Sequence, residues 1–291
     1  MECILNQVDP QYETALEFKY RLSILLAQDG FAFLITHATS KKVLKLAHYK
    51  LNLTDIQYDE VSGWPINGSD YFELLKKADL IKQSYQQIDI AVASNRITTA
   101  PHDFLTKGND LNIISAAYPV TPHEEILTEA VSDLGPVTAT LVPLYVSDFC
   151  KIIFPDSILR SASAIFVKGV LRKHSRLIAR QIFINIHHKY FEITVIHGLR
   201  LLYLNTFRYS APSDVLYYVI FVLEQLGFVP SEESVTIMGD ITEVSIIFSQ
   251  LKMYCGSLNF ISNPDELEYS DAFAGIAMHK YFTLFNIPIC E

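Results

Sequence analysis

A stretch near the start of the chain and another past its middle follow one pattern, and this internal duplication restricts the fold more than any other feature. With Leu22 set on Ile182, Leu22–His37 runs beside Ile182–His197, so that Phe31, Phe33 and Ile35 fall on Phe191, Ile193 and Val195. After a slip of two residues, Val43-Leu44-Lys45-Leu46 meets Leu201-Leu202-Tyr203-Leu204, and Tyr49 meets Phe207. Apolar residues recur at every second position, the period of half-buried strands, so each copy reads as three short strands joined by tight turns. Asp29-Gly30 is a hairpin-turn dipeptide, because glycine tolerates the positive φ that such a turn demands.

The parallel continues past the strands. A helix is predicted over about Asp70 to Tyr85, opened by an Asp70–Glu73 capping box and carrying one apolar stripe of Tyr71, Leu74, Ala78, Ile81 and Tyr85. Its counterpart runs from about Asp214 to Leu226 and stops at Gly227. That second helix is apolar on nearly every side from Val215 to Leu223, which predicts burial between layers. A strand follows each, at Ile88–Ala93 and Ser234–Met238, so the unit is strand-strand-strand-helix-strand, twice. Between the copies, Val137–Leu144 reads as a strand, Tyr145–Phe154 as a helix, the vicinity of Ile158 as a strand and Ser161–Leu171 as a helix. After Gly239, Thr242–Met253 reads as a helix, and Tyr254–Ile261 and Met278–Phe285 as strands. The expected organisation is an α/β chain of two lobes, 1–178 and 179–291. The first carries an insertion at about 118–142, of which Tyr118 to Gly135 has no counterpart.

Composition removes several function classes. Half of the 291 residues are apolar or aromatic and 19% are charged, which excludes a disordered or collagen-like chain. A net charge of −9 argues against general coating of nucleic acid, which needs Lys and Arg on phosphates. The four cysteines lie far apart, without a C-x-x-C pair or zinc spacing, as expected of reduced thiols. The start, Met-Glu-Cys-Ile-Leu-Asn-Gln, has no basic region followed by an apolar stretch. The longest apolar run, Val215–Leu223, falls short of the roughly 20 residues of a membrane span. A cytoplasmic location is expected.

A duplicated unit of this kind resembles the actin-like ATPases, in which two ribonuclease-H-like lobes of βββαβα type face each other across a cleft. The hairpin Ile182–His197, the turn at His197-Gly198, the strand ending Leu204-Asn205-Thr206-Phe207 and the helix entered through Ser213-Asp214 resemble the second lobe of cell-division and pilus-assembly actin-like proteins. The run from Leu204 to Gly227, with the ending His279-Lys280-Tyr281-Phe282-Thr283-Leu284 and Cys290-Glu291, is similar to an uncharacterised bacterial family assigned that fold. The resemblance implies a fold for nearly the whole chain, but no activity.

It also implies where a nucleotide would sit. Glycine-rich turns between strands one and two of each lobe would close on the phosphates, an aspartate ending the first strand would hold Mg²⁺ through water, and a Gly-Gly after the fourth strand of lobe two would bed the adenine. Here the first turn is Ala27-Gln28-Asp29-Gly30 and the second Ile186-His187-His188-Lys189, with one glycine and none. The third place keeps Gly239-Asp240. Side chains at both turns crowd the approach of phosphate. Asp29 as a metal ligand competes with Asp29 as a turn former, and Gly239-Asp240 as an adenine contact with a strand-end turn; the plain reading is preferred for both. A ribonuclease-H-type nuclease needs carboxylates converging near the first strand. Leu22–Leu26 holds none, and Asn185 in the second copy is neutral.

Other constellations are weaker. His187 and His188 are adjacent on a strand or its turn, so they point apart and do not make a metal site. From Ser157 to Phe191 the chain places seven of its 23 bases and none of its 32 acids: Arg160, Lys168, Arg172, Lys173, Arg176, Arg180 and Lys189. Cations completing a helix C-terminus and a basic connector account for this stretch, and an anion or RNA site built on Arg172, Lys173, Arg176 and Arg180 is the competing reading. Nucleophile-elbow, zincin, P-loop and dinucleotide fingerprints are missing. Asp148 and Asp156 flank a helix as caps or surface charge rather than as an acid–base pair.

The expected function is that of a catalytically silent relative of the actin-like ATPases, without cofactor or metal, binding a protein partner through its cleft or an exposed edge. The alternatives are an unconventional ATPase or phosphotransferase gripping phosphates with Lys189 and the Arg172–Arg180 cluster, and a protein that contacts RNA through the basic stretch.

Overall fold

The computed structural model describes residues 2–290 apart from 52–55, 67–74, 77, 79, 81–83, 105–108, 133–134 and 175–178. The chain divides into two compact units. One comprises Met1–Lys168, Pro264–Ile276 and Thr283–Glu291, the other Gly169–Asn263 and Ala277–Phe282.

The first unit is built on β1 (Glu2–Val8), β2 (Tyr20–Ala27), β3 (Gly30–His37), β4 (Val43–Lys50) and β5 (Gln87–Val92). Alternation buries Leu22, Ile24 and Leu26 of β2 and Phe31, Phe33 and Ile35 of β3 in one core, together with Trp64. β2, β3 and β4 run antiparallel, β5 lies parallel to β2, and β1 pairs antiparallel with β4. A small second sheet has the order β6 (Ile97–Ala100), β8 (Val137–Pro143), β7 (Glu124–Ala130), with the short helix α1 (Asp110–Ser115) placing Ile114 against Ala139 and Leu141. It takes in the stretch expected as an insertion. Helix α2 (Leu144–Ile153) follows and buries Val146 and Cys150 in the main core. Then β9 (Ile158–Ser161) completes the main sheet beside β5, and helix α3 (Ala162–His174) leads on.

The second unit repeats the pattern as β10 (Arg180–Ile186), β11 (Tyr190–His197) and β12 (Arg200–Arg208), then helix α4 (Pro212–Gln225), β13 (Ser234–Gly239), helix α5 (Ile246–Tyr254) and β14 (Ser257–Phe260). The sheet order β12-β11-β10-β13-β14 matches β4-β3-β2-β5-β9. Ile182 pairs with Val195 as Leu22 pairs with Ile35. Asp214 accepts the backbone N–H of Ser210 and Ala211 at 2.9 Å, and those two donors hold its carboxyl below the usual carboxylate range. Gly227, at φ 74°, ends α4, with Phe228 N–H donating to the Leu223 carbonyl at 2.9 Å.

Two expectations are corrected. Met278–Phe285 is not a strand: Met278–Tyr281 is a 3₁₀ turn and Phe282–Asn286 a helix, α6. Phe282, Leu284, Phe285 and Ile287 are all buried, and a short helix wrapped in core on every side shows no amphipathic period. Helix α4 is not buried all round, since Val215, Val219, Val222 and Leu223 face the core while Tyr217 and Phe221 are exposed. β1, β6 and β7 were not foreseen. The helix expected over 70–85 lies largely outside the described residues, of which Leu75, Ala78 and Leu80 are buried.

Cys150, Cys255 and Cys290 are buried free thiols and Cys3 is exposed. Burial pushes the Cys150 thiol up to about 12 and the Cys255 thiol up to about 11, so neither is a nucleophile at neutral pH. None of the described helices is long and apolar enough to cross a membrane.

Candidate functional site

In the first unit Gln28 and Asp29 make a two-residue link between β2 and β3, where Ala27 pairs with Gly30. The Gln28 side chain is buried, and its amide donates to the Ser62 carbonyl at 2.7 Å and to Asn95 Oδ1 at 3.4 Å. Asp59 accepts the Ser62 N–H at 2.6 Å, and that bond draws its carboxyl below the usual range. The segment Asp59–Trp64 therefore folds onto the turn, and a Cβ on Gly63 would stand 2.8 Å from the Gln28 amide nitrogen. Asp29 lies 3.5 Å from Lys50 Nζ, and its carbonyl accepts Leu51 N–H at 2.8 Å. Gly30 answers to β4 as much as to its turn: at φ +146° its Cβ would lie 2.1 Å from the Tyr49 carbonyl oxygen.

The second turn is tied down by its own hairpin. His187 N–H donates to the Tyr190 carbonyl at 2.9 Å, and the Tyr209 hydroxyl donates to the carbonyls of His187 and His188 at 2.7 and 3.1 Å. The His187 ring stacks on Tyr190 at 4.2 Å. Its Nε2 lies 3.0 Å from Glu192, which is 2% exposed and accepts the Asn185 amide at 2.7 Å. His188 is half-buried and Lys189 exposed.

Ile186 pairs with Gly239, which brings the third expected place beside this turn. Asp240 N–H donates to the Ile186 carbonyl at 2.8 Å, and its carboxylate meets Lys280 Nζ at 3.1 Å. Next to them His279 Nε2 lies 2.8 Å from the Ile241 carbonyl, and the ring stacks on Phe260 at 4.0 Å; burial pushes its pKa below the ordinary imidazole value. No group of three His, Cys, Asp or Glu side chains suited to a metal occurs among the described residues.

Much of the basic stretch turns inward. Arg160 and Lys168 both pair with Glu129 of β7, Lys168 at 2.8 Å, and Arg160 also donates to the Cys290 carbonyl. Lys173 Nζ donates to the Asn263 carbonyl at 2.7 Å, and the Arg180 guanidinium covers Phe228 at 4.1 Å. Arg172 is half-buried, and Arg176 lies outside the described residues. Glu129→Gln, which strips a shared charge from two largely buried cations, is expected to cost about 2 kcal/mol in urea denaturation.

Sequence reasoning missed the partners of Gln28 and the Asn185–His187–Glu192 cluster. For the cluster a signal exists, since Glu192 sits inside the apolar run Tyr190–Ile196, where a lone carboxylate needs buried donors. For Gln28 none exists, because Ser62 and Asn95 are remote in sequence.

Residues 9–258 match the family described as "Protein of unknown function (DUF3822)". The structure is similar to a Bacteroides thetaiotaomicron protein with an actin-like ATPase fold and unknown function, at 17% identity and a TM-score of 0.76, covering 86% of this chain and 94% of that one. It is also similar to a chain of the PilM–PilN type IV pilus biogenesis complex, at 9% identity and a TM-score of 0.65, covering 92% and 96%. None of the curated proteins matches. The family match spans most of the chain, and the sheet order β12-β11-β10-β13-β14 repeats β4-β3-β2-β5-β9: the chain belongs to the DUF3822 family of proteins of unknown function and has the duplicated ribonuclease-H-like lobes of the actin-like ATPase fold.

Proposed function

We propose that the protein is a non-catalytic binding or scaffold module that keeps the actin-like architecture without its nucleotide chemistry. The observation that carries this reading is the buried Gln28 amide, held by Ser62 and Asn95 with the segment Asp59–Trp64 against the turn. Phosphate binding asks for bare peptide N–H groups and open space at that bend, and the chain fills it with its own side chain. The second bend carries His187, His188 and Lys189, and Tyr209 occupies two of its carbonyls. ATP with Mg²⁺ does not fit these residues. A protein partner is compatible with the fold, since PilM has the same fold and is found in a complex with PilN.

The alternatives lose support from the same geometry. Of the cluster proposed to grip phosphates, Lys173 is held by the Asn263 carbonyl, whereas Arg180 covers Phe228 and stays exposed. An RNA contact would need several cations turned outward together, and Lys173, Arg160 and Lys168 are each held by acceptors of the chain itself. Calorimetric titration of the full chain with ATP and Mg²⁺ is expected to give no saturable heat, and Lys189→Ala is expected to change nothing. Micromolar affinity accompanied by phosphate release overturns the proposal.

A further inference from the structure

The two units differ at one sheet edge. In the first, the outer edge of β4 is taken: β1 pairs with it from Glu2↔Lys50 to Val8↔Lys45, and Asp9 N–H donates to the Leu44 carbonyl at 2.8 Å. The equivalent strand of the second unit, β12, ends its sheet, with no further strand beside it among the described residues. The equivalence holds down to an irregularity. β4 bulges against β3 at Leu44, between the paired Val43 and Lys45, and β12 bulges against β11 at Leu202, between the paired Leu201 and Tyr203. Leu44 is 3% exposed and Leu202 is 45% exposed, with Leu199 close by at 63%. Natural edges are blunted by charge, proline or a bulge; β12 has the bulge at Leu202 and Arg200 and Arg208 at its ends, and the seven residues between them, Leu201–Phe207, carry no charge and no proline.

Helix α4 extends this surface. Ring contacts run from Phe191 to Phe207 (5.6 Å), Tyr218 (4.8 Å), Tyr217 (5.2 Å) and Phe221 (6.2 Å). Phe191 is buried at one end of this path, and Tyr217 and Phe221 are exposed at the other. A sheet edge flanked by a helix with aromatic rings is suited to hold an extended peptide, with main-chain bonds giving affinity and side-chain contacts giving selectivity. The edge strand carries Arg200 and Arg208 and no acid, within a molecule of net charge −9, and the acids of α4, Asp214 and Glu224, stand towards that helix's two ends. That contrast disfavours a second copy and favours an acidic segment.

We propose that β12 and α4 form a docking site for an extended segment of a partner protein, acidic at its ends and apolar at alternate positions, which adds antiparallel to β12 as β1 adds to β4. The inference rests on the protein-binding half of the function proposed above and is independent of its nucleotide half.

The probe is a blocked peptide with the β1 sequence Glu2–Val8, serine in place of Cys3, and two aspartates added at each end. Added to the full chain and followed by NMR, it is expected to bind with a Kd of about 100 μM or tighter and to slow amide exchange in Arg200–Leu204. Leu202→Glu and, separately, Tyr217→Ala are expected to weaken binding at least about tenfold, while Val244→Glu, outside β12 and α4 and 91% exposed, leaves it unchanged. Leu202 and Tyr217 are exposed, and unchanged melting of the variants separates loss of binding from loss of fold. No binding at about 1 mM peptide, protection at the β4 edge instead, or an affinity indifferent to both variants overturns the proposal. Concentration-dependent dimerisation abolished by Leu202→Glu also overturns it, by making a second copy the occupant. Nucleotide binding in the calorimetric titration, with the peptide still docking on β12, sinks the earlier reading alone.

Discussion

Gly239→Ala is expected to destabilise the second unit by about 3–5 kcal/mol, a loss at the far end of what one added methyl does. Gly239 has φ +89°, which alone costs a residue with a Cβ roughly 1–2 kcal/mol. The larger part is steric. The new Cβ would stand 2.1 Å from the Ile186 carbonyl oxygen, 2.7 Å from the Ile186 nitrogen and 2.8 Å from Asn185 Oδ1. Two of those atoms are backbone of the neighbouring strand, and the third belongs to the amide that satisfies buried Glu192, so nothing nearby yields cheaply. Gly227→Ala is the control: its φ is +74°, but no atom lies within 4 Å of its Cβ, and a loss of about 1 kcal/mol is expected. Chemical denaturation of both variants measures the difference, and equal losses refute the steric account. The same contacts account for a glycine at this position on packing grounds alone.

Arg96→Met is expected to cost about 3–5 kcal/mol and to loosen the small β6-β8-β7 sheet ahead of the rest. Arg96 is 4% exposed, pairs with Glu124 and donates to the Pro119 carbonyl, with its guanidinium 5.7 Å from the Tyr118 ring. Its own carbonyl accepts Leu141 N–H at 2.9 Å, so the residue ties β8 to both ends of the connection that precedes β7. Removing it strands a carboxylate whose side chain is 7% exposed, leaving it only the Thr121 N–H and hydroxyl at 3.0 and 3.1 Å. The double variant Arg96→Met, Glu124→Leu is expected to recover most of the loss, because a buried pair replaced by apolar groups costs little. Hydrogen exchange of the β8 amides reports the local opening, and a single-variant loss under 1 kcal/mol discards the idea.

The duplication was readable because strands register their burial every second residue. The two-residue slip between the copies falls in a hairpin, Ala38–Lys42 in one unit against Gly198–Arg200 in the other, and on either side the alignment reproduces the pairing. β1 was not readable, since Glu2–Val8 is largely exposed and its pattern is legible only beside β4. The composition of the two bends could be read directly, whereas the burial of Gln28 could not. Its partners come from two connections, at Ser62 and Asn95, whose approach to the turn is a tertiary event.

The Gln28–Ser62 contact has an energetic corollary. A pocket that waits for a ligand gains folding free energy in proportion to the logarithm of ligand concentration, so its host's stability follows the supply. A bend completed by the polypeptide itself has no such dependence. On the reading proposed above, the first unit is expected to melt at the same temperature with and without added ATP and Mg²⁺.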